Sequence, residues 1–153
     1  MRALLQRVKR AEVRLAAPDQ TGDLIGQIGM GLVVLLGVGI EDTGDDARYL
    51  AGRLAHLRIF NDDAGRLNRS IMDVGGEVLS VSQFTLYADV SGGRRPSFVR
   101  AAAPEVAEPL YLEFNRTIEG MGVHVVPGRF GTYMEVEILN DGPVTILLDS
   151  RDR

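Results

Sequence analysis

The sequence contains no cysteine. That removes disulfide scaffolds, thiolate metal sites and cysteine nucleophiles together, and it fits a cytoplasmic protein. Long apolar runs are missing too. The longest, GLVVLLGVGI at 31–40, has ten residues. A membrane helix needs about 20, so no bilayer span is expected. The N-terminal MRALLQRVKR carries charge but no apolar stretch of useful length and no small-residue cleavage site, so no secretory signal is expected. Histidine is scarce, with only His56 and His124. His56 falls in a helical pattern and His124 in an alternating one, so both read as structural. With no H-E-x-x-H either, a zinc site has little to draw on. Asp62 and Asp63 read as a solvated loop before they read as a cation site. Gly29, Gly31, Gly37 and Gly39 lack the G-x-G-x-x-G spacing, and no P-loop or G-x-S-x-G elbow occurs. An excess of positive charge is absent as well. The balance of 17 Lys+Arg against 21 Asp+Glu leaves −4, so a broad electrostatic grip on nucleic acid is not expected.

What is present is ordinary in bulk. The 153 residues are 45% hydrophobic and 25% charged. No linker, repeat or low-complexity stretch divides them, so one domain over 1–153 is expected. A chain of that length buries roughly 70% of its unfolded surface. The basic residues are less evenly spread than their total suggests. Arg2, Arg7, Lys9, Arg10 and Arg14 form one cluster, and Arg94, Arg95 and Arg100 another. Each is compatible with a solvated surface, and each is also enough for a small footprint on a few phosphates.

The hydrophobic pattern predicts a mixed α/β domain, with sheets packed against two helices. Residues 2–8 and 10–16 read as two strands, followed by a turn from Pro18 to Gly22. The 31–40 run reads as a strand covered on both faces. Thr43 caps a helix with Asp46 three residues on, and Ala47, Leu50, Ala51, Leu54 and Leu57 line one stripe. Residues 61–75 read as loop, 77–87 as strand and 88–97 as a polar, glycine-rich loop. A second helix lies within 104–121, where Pro104 suits the first turn and Pro109 should break or restart the pattern. Three strands at 123–127, 132–139 and 144–149 close the chain, with Asn140-Asp141-Gly142 as a turn between the last two.

Two segments stand out. In SQFTLYAD, 82–89, strand alternation would put Ser82, Phe84 and Leu86 on one face and Gln83, Thr85 and Tyr87 on the other. Several polar side chains then approach the core and need partners. In NDGPVTILLDS, 140–150, Gly142 offers no side chain and Pro143 no backbone donor, which leaves two carbonyl oxygens on a bare backbone.

Together these segments resemble the D-aminoacyl-tRNA deacylases, also called D-tyrosyl-tRNA deacylases. The resemblance runs nearly end to end. It is carried by MRALLQRV at 1–8, GQIGMGLVVLLGVG at 26–39, LRIFND at 57–62, SQFTL at 82–86, RRPSF at 94–98, GRFG at 128–131 and NDGPVT at 140–145. It implies a compact α/β homodimer with active sites at the dimer interface. Each site would combine Ser82, Gln83, Phe84, Thr85 and Leu86 with Gly142 and Pro143 of the opposite subunit, joined by a cis peptide bond. By the same resemblance Ser82, Gln83 and Thr85 are candidate catalytic residues. Phe84, Leu86, Asn140, Arg7, Gly142 and Pro143 are candidate substrate contacts, with Arg7 fixing the Gly-Pro loop through its carbonyls. Arg94 and Arg95 would meet the acceptor end of tRNA. The implied reaction is hydrolysis of the ester between a D-amino acid and the terminal ribose, with no metal or organic cofactor.

Elementary chemistry is consistent with that expectation. An aminoacyl ester is already activated, so positioning and one or two oxyanion donors can suffice. Thr85, by backbone N–H or hydroxyl, is the candidate donor. Water and the ribose 2′-hydroxyl both remain as attacking groups. Rigid carbonyls that exclude an L side chain would tolerate many D side chains, and glycine would escape rejection.

The chain departs from the family pattern at two places. Thr132-Tyr133 stand where F-G-A-x-M is common, and Gly92 stands where lysine often precedes G-x-R-P-S-F. The Thr132-Tyr133 departure keeps open a hydrolase of the same fold acting on another acyl ester or a different mischarged tRNA. A non-catalytic dimeric RNA-binding protein is the rival of a different class.

Overall fold

The computed structural model describes residues 1–16 and 22–153, and the turn expected at Pro18–Gly22 lies, but for Gly22, outside the described residues. The chain runs through β1 (Arg2–Leu15), β2 (Leu24–Ile28), β3 (Gly31–Gly37), α1 (Gly44–His56), β4 (Phe60–Asn61), β5 (Leu67–Arg69), α2 (Ile71–Val74), β6 (Glu77–Ser82), a 3₁₀ turn (Phe84–Tyr87), α3 (Pro104–Gly120), β7 (Val125–Pro127) and β8 (Met134–Asp149).

β1 organises the sheet. One of its edges takes β3 antiparallel along residues 2–8 and β2 along 11–14, and the other takes the length of β8. β3, β6 and β7 then continue in parallel. Arg2–Leu15 therefore form one strand where the sequence suggested two. Lys9 and Arg10, the polar break in the pattern, mark a register irregularity against β8 and leave the strand continuous.

The 31–40 run is apolar because β3 has a core on each side. Leu32, Val34 and Leu36 join Met1, Leu5, Leu50, Leu54, Phe114 and Ile118 beneath the helices. Val33 faces the other way, with Val8, Ala11, Val13, Ile28, Leu79 and Val81 inside the curl of the sheet. α1 begins as expected, with a reciprocal capping box between Thr43 and Asp46, and it buries Ala47, Leu50, Ala51, Leu54 and Ala55.

Pro109 does not break α3. It lies exposed on the solvent side of a continuous helix whose buried stripe is Ala107, Tyr111, Phe114 and Ile118. An interior proline costs about 3 kcal/mol. Burying each large apolar side chain returns about 1.5–3 kcal/mol, so the stripe holds the helix together. Residues 61–75 are also more ordered than their polarity suggests. They hold the β4–β5 hairpin and the one-turn α2, whose Ser70 and Asp73 cap each other.

The largest departure from expectation is at the C-terminus. Residues 132–139 and 144–149 are not two strands joined by a reversing turn. Both halves of β8 pair with β1 in the same direction, Val8 opposite Asn140 and Gln6 opposite Thr145. Asp141–Val144 are thus expelled from the ladder as a bulge. A turn signal normally folds a chain back, but here the 14-residue β1 captures the segment on both sides of it. Among the described residues no helix is long and apolar enough to cross a membrane.

Candidate active site

The bulge is held from below by Arg7. Its β1 position faces the helix side, and it is only 7% exposed. Nη1 donates to the Ile59 carbonyl at 2.8 Å and to Asn61 Oδ1 at 3.1 Å, while Nε lies 3.0 Å from the Asp141 carboxylate. The carbonyl that Arg7 holds is therefore Ile59's. It reaches the bulge through Asp141, not through the expected Gly-Pro oxygens. This also accounts for the LRIFND segment, which supplies two of the three partners.

Asn140 closes the neck of the bulge. Its Nδ2 donates to the Arg7 carbonyl at 2.8 Å and the Val144 carbonyl at 3.2 Å, and its Oδ1 accepts from Thr145 Oγ1 at 3.3 Å. Its amide is thus engaged by its own chain. Above this base, Gly142 and Pro143 are exposed and joined by a cis peptide bond. Gly142 has φ +117°, and a Cβ there would lie 2.8 Å from Val144 Cγ2 and 3.2 Å from Arg7 Nη2. Only glycine fits that position without strain.

The SQFTL segment is not the strand the alternation predicted. β6 ends at Ser82, and Phe84–Tyr87 turn into a 3₁₀ helix. The two-faced division of its side chains therefore fails. Tyr87 turns inward and Phe84 and Thr85 outward, with Gln83 and Leu86 half-buried. The cause is the end of β3. Gln83 N–H donates to the Leu36 carbonyl at 2.7 Å, and the chain then folds over Gly37 and Gly39. A Cβ on Gly39 would stand 2.8 Å from the Tyr87 ring. Tyr87 in turn donates its hydroxyl to Asp42 at 3.1 Å, and burial beside that carboxylate pushes its pKa upward.

This geometry leaves two donors facing out. The N–H groups of Phe84 and Thr85 open the 3₁₀ turn and have no acceptor within it. Among the described residues none elsewhere meets them. Gln83 Nε2 donates to Thr85 Oγ1, so the hydroxyl proton stays free to donate outward. Phe84, 54% exposed, meets Phe98 edge-on at 5.0 Å. Asp89 and Ser97 pair through their backbones and close the 88–97 loop, which carries exposed Arg94 and Arg95 beside the turn. Thr132 is exposed and donates its hydroxyl to the Arg129 carbonyl at 2.9 Å.

One chain does not bring these two elements together. Leu86 is tied to Arg2, whose Nη1 donates to its carbonyl at 2.9 Å. The bulge is tied to Arg7. Arg2 and Arg7 are five positions apart on one strand, roughly 16 Å at ordinary strand rise, and an odd spacing turns them to opposite faces. Sequence reasoning missed Arg2, Asp42, Tyr87, Asn61 and Asp141 as supports. Nothing in the local pattern marks them, because each acts across a large sequence separation.

Comparison with known proteins finds relatives along nearly the whole chain. Residues 4–149 match the family model described as D-Tyr-tRNA(Tyr) deacylase. The D-aminoacyl-tRNA deacylase of Symbiobacterium thermophilum is 57% identical over 150 residues, 98% of this chain and 96% of that protein. The Thermus aquaticus protein of the same name is 54% identical over 100% of this chain and 97% of its own. A solved structure, named c-Myc DNA Unwinding Element Binding Protein, superposes with a TM-score of 0.88 at 40% identity, covering 97% of this chain and 98% of that one. With a family match over almost its whole length and relatives above half identity, the chain belongs to the D-Tyr-tRNA(Tyr) deacylase family.

Proposed function

We propose that this protein hydrolyses the ester of D-aminoacyl-tRNA, releasing the D-amino acid and free tRNA in the cytoplasm. One domain, 1–153, carries the activity in each protomer of a homodimer, and each site pairs the SQFTL turn of one protomer with the Gly142–Pro143 bulge of the other. The observation that carries this reading is the separation just described. Two exposed elements are braced from within by Arg2 and Arg7, which stand roughly 16 Å apart along β1 and on its opposite faces, and a second copy can unite them. The free outer edge of β8, which among the described residues pairs only with β1, and exposed Leu139 and Leu147 are consistent with such an association.

The chemistry then follows. Water or the ribose 2′-hydroxyl attacks the ester carbonyl, and the negative charge developing on its oxygen meets the N–H groups of Phe84 and Thr85 and the Thr85 hydroxyl. The C–O bond to the ribose breaks, and the ribose oxygen leaves with a proton. When the 2′-hydroxyl attacks, water hydrolyses the resulting ester in turn. Ser82 and Gln83 set the turn and the Thr85 rotamer. The bulge carbonyls accept the substrate's α-amino group and occupy the volume of an L side chain. A D side chain points out to solvent, and glycine passes, so glycyl-tRNA is a substrate too. Arg94 and Arg95 meet phosphates of the acceptor end. The direct test is turnover of D-tyrosyl-, L-tyrosyl- and glycyl-tRNA by the purified protein. Cleavage of the D and glycyl esters with the L ester spared is expected, and equal cleavage of D and L would overturn the chiral mechanism. Binding of tRNA with no turnover of any ester would favour the RNA-binding rival.

A further inference from the structure

Arg2 reads in sequence as one of a surface cluster of cations, yet its guanidinium is committed to the protein. Nη1 donates to the Leu86 carbonyl at 2.9 Å, and Nε to Asp149 Oδ2 at 3.0 Å. The group also stands over the Tyr87 ring, 4.8 Å from its centroid. Tyr87 is pinned at its other end by Asp42. The turn that exposes the Phe84 and Thr85 N–H groups is thus gripped at Leu86 and Tyr87 by Arg2 of the first strand, itself held by Asp149 of the last, and by Asp42 before α1. A charge-assisted bond to a carbonyl is shorter and stronger than a neutral one, and a cation over an aromatic face adds to it. Asp149 lies near the end of β8 and orients the guanidinium that reaches Leu86.

We propose that Arg2 is a positioning residue. Oriented by Asp149, it holds the 3₁₀ turn by the Leu86 carbonyl and keeps the outward N–H groups aimed at the reacting ester. This rests on the hydrolase reading above. Arg2 touches no substrate, so its loss should lower kcat and leave KM alone.

The test combines kinetics on D-tyrosyl-tRNA with amide hydrogen exchange of the peptide covering 83–88. In Arg2→Ala, exchange in that peptide should rise while the helices keep wild-type protection, and kcat should fall about tenfold, as small misplacements of catalytic groups do. Arg2→Lys, which keeps a cation within reach of the carbonyl, should recover most of the loss. A kcat close to wild type, unchanged exchange at 83–88, or a rise in KM with kcat intact would each overturn the proposal. If Arg2→Ala fails to fold, Asp149→Asn gives the same readout, and wild-type exchange and kcat there would overturn it equally. A wild-type protein inert on D-tyrosyl-tRNA would sink the hydrolase reading instead, and the exchange comparison would still decide whether Arg2 holds the turn.

Discussion

Arg7 and Gly142 are packed so closely that a single added carbon on Gly142 would come within 3.2 Å of the guanidinium. The same carbon would press on Val144, and φ at Gly142 is +117°. Gly142→Ala therefore meets both a steric and a conformational penalty, the latter about 1–3 kcal/mol. The bulge is exposed and outside the ladder, so the core should survive. The expected result is a folded protein, with melting temperature lowered by about 2–12 °C, whose kcat/KM on D-tyrosyl-tRNA falls by about a hundredfold. Wild-type turnover in Gly142→Ala would remove the bulge from the site.

Arg7 itself should resist conservative exchange. Its fork engages Ile59, Asn61 and Asp141 at once. A lysine has one compact ammonium and cannot span all three. Arg7→Lys should destabilise the protein by about 1–3 kcal/mol, read from urea unfolding. It should also lower activity by more than that loss of folded protein explains.

These supports mark the boundary of what the sequence could tell. The α1 cap, the two-sided burial of β3 and the start of α3 at Pro104 are local matters of periodicity and capping, and they were legible. SQFTL and NDGPVT were legible as unusual, because their residue types sit badly in an ordinary strand or hairpin. Apart from the cis bond that the resemblance implies at Gly142–Pro143, their conformations were not legible. Alternation continued the strand through Phe84, but the 3₁₀ turn is imposed by Leu36, Gly37 and Gly39, more than 40 residues upstream. Asn140-Asp141-Gly142 carries every mark of a reversal, and only a β1 long enough to pair on both sides makes it a bulge. Pro109 was read as a breaker because local rules price the lost N–H and do not see Tyr111, Phe114 and Ile118 buried on the far side. Arg2 and Arg7 looked alike in a run of cations, and only the alternation of a buried strand separates them.

Thr85 distinguishes two kinds of catalysis. If its hydroxyl were the nucleophile, Thr85→Ala would abolish turnover. In this structure the hydroxyl is held by Gln83, with no hydrogen bond to a base among the described residues, and the Phe84 and Thr85 N–H groups remain after substitution. Thr85→Ala should therefore keep measurable activity, with kcat reduced by about tenfold to a hundredfold, somewhat less than the loss of a full oxyanion donor. No acyl-enzyme should accumulate in a rapid quench of the wild type. A burst of covalent intermediate would overturn this account.

Asp46 offers a test of the scaffold by pH. Its carboxylate accepts from the Thr43 N–H at 2.8 Å, the Thr43 hydroxyl at 2.9 Å and Arg153 at 2.8 Å. Burial alone would raise its pKa. The bonds from Thr43 and Ser150, with the N-terminal ammonium nearby, outweigh that and bring it from 3.8 to about 2. A carboxyl with a depressed folded pKa contributes its stability above the unfolded value and loses it as pH falls through the folded one. Asp46→Asn should thus cost about 1 kcal/mol at neutral pH, as the loss of a helix cap does. That difference should stay constant down to about pH 4 and close between there and about pH 2. Urea unfolding of both proteins across that range measures it. A gap that stays open at the acid end would mean that the charge on Asp46 contributes nothing to the cap.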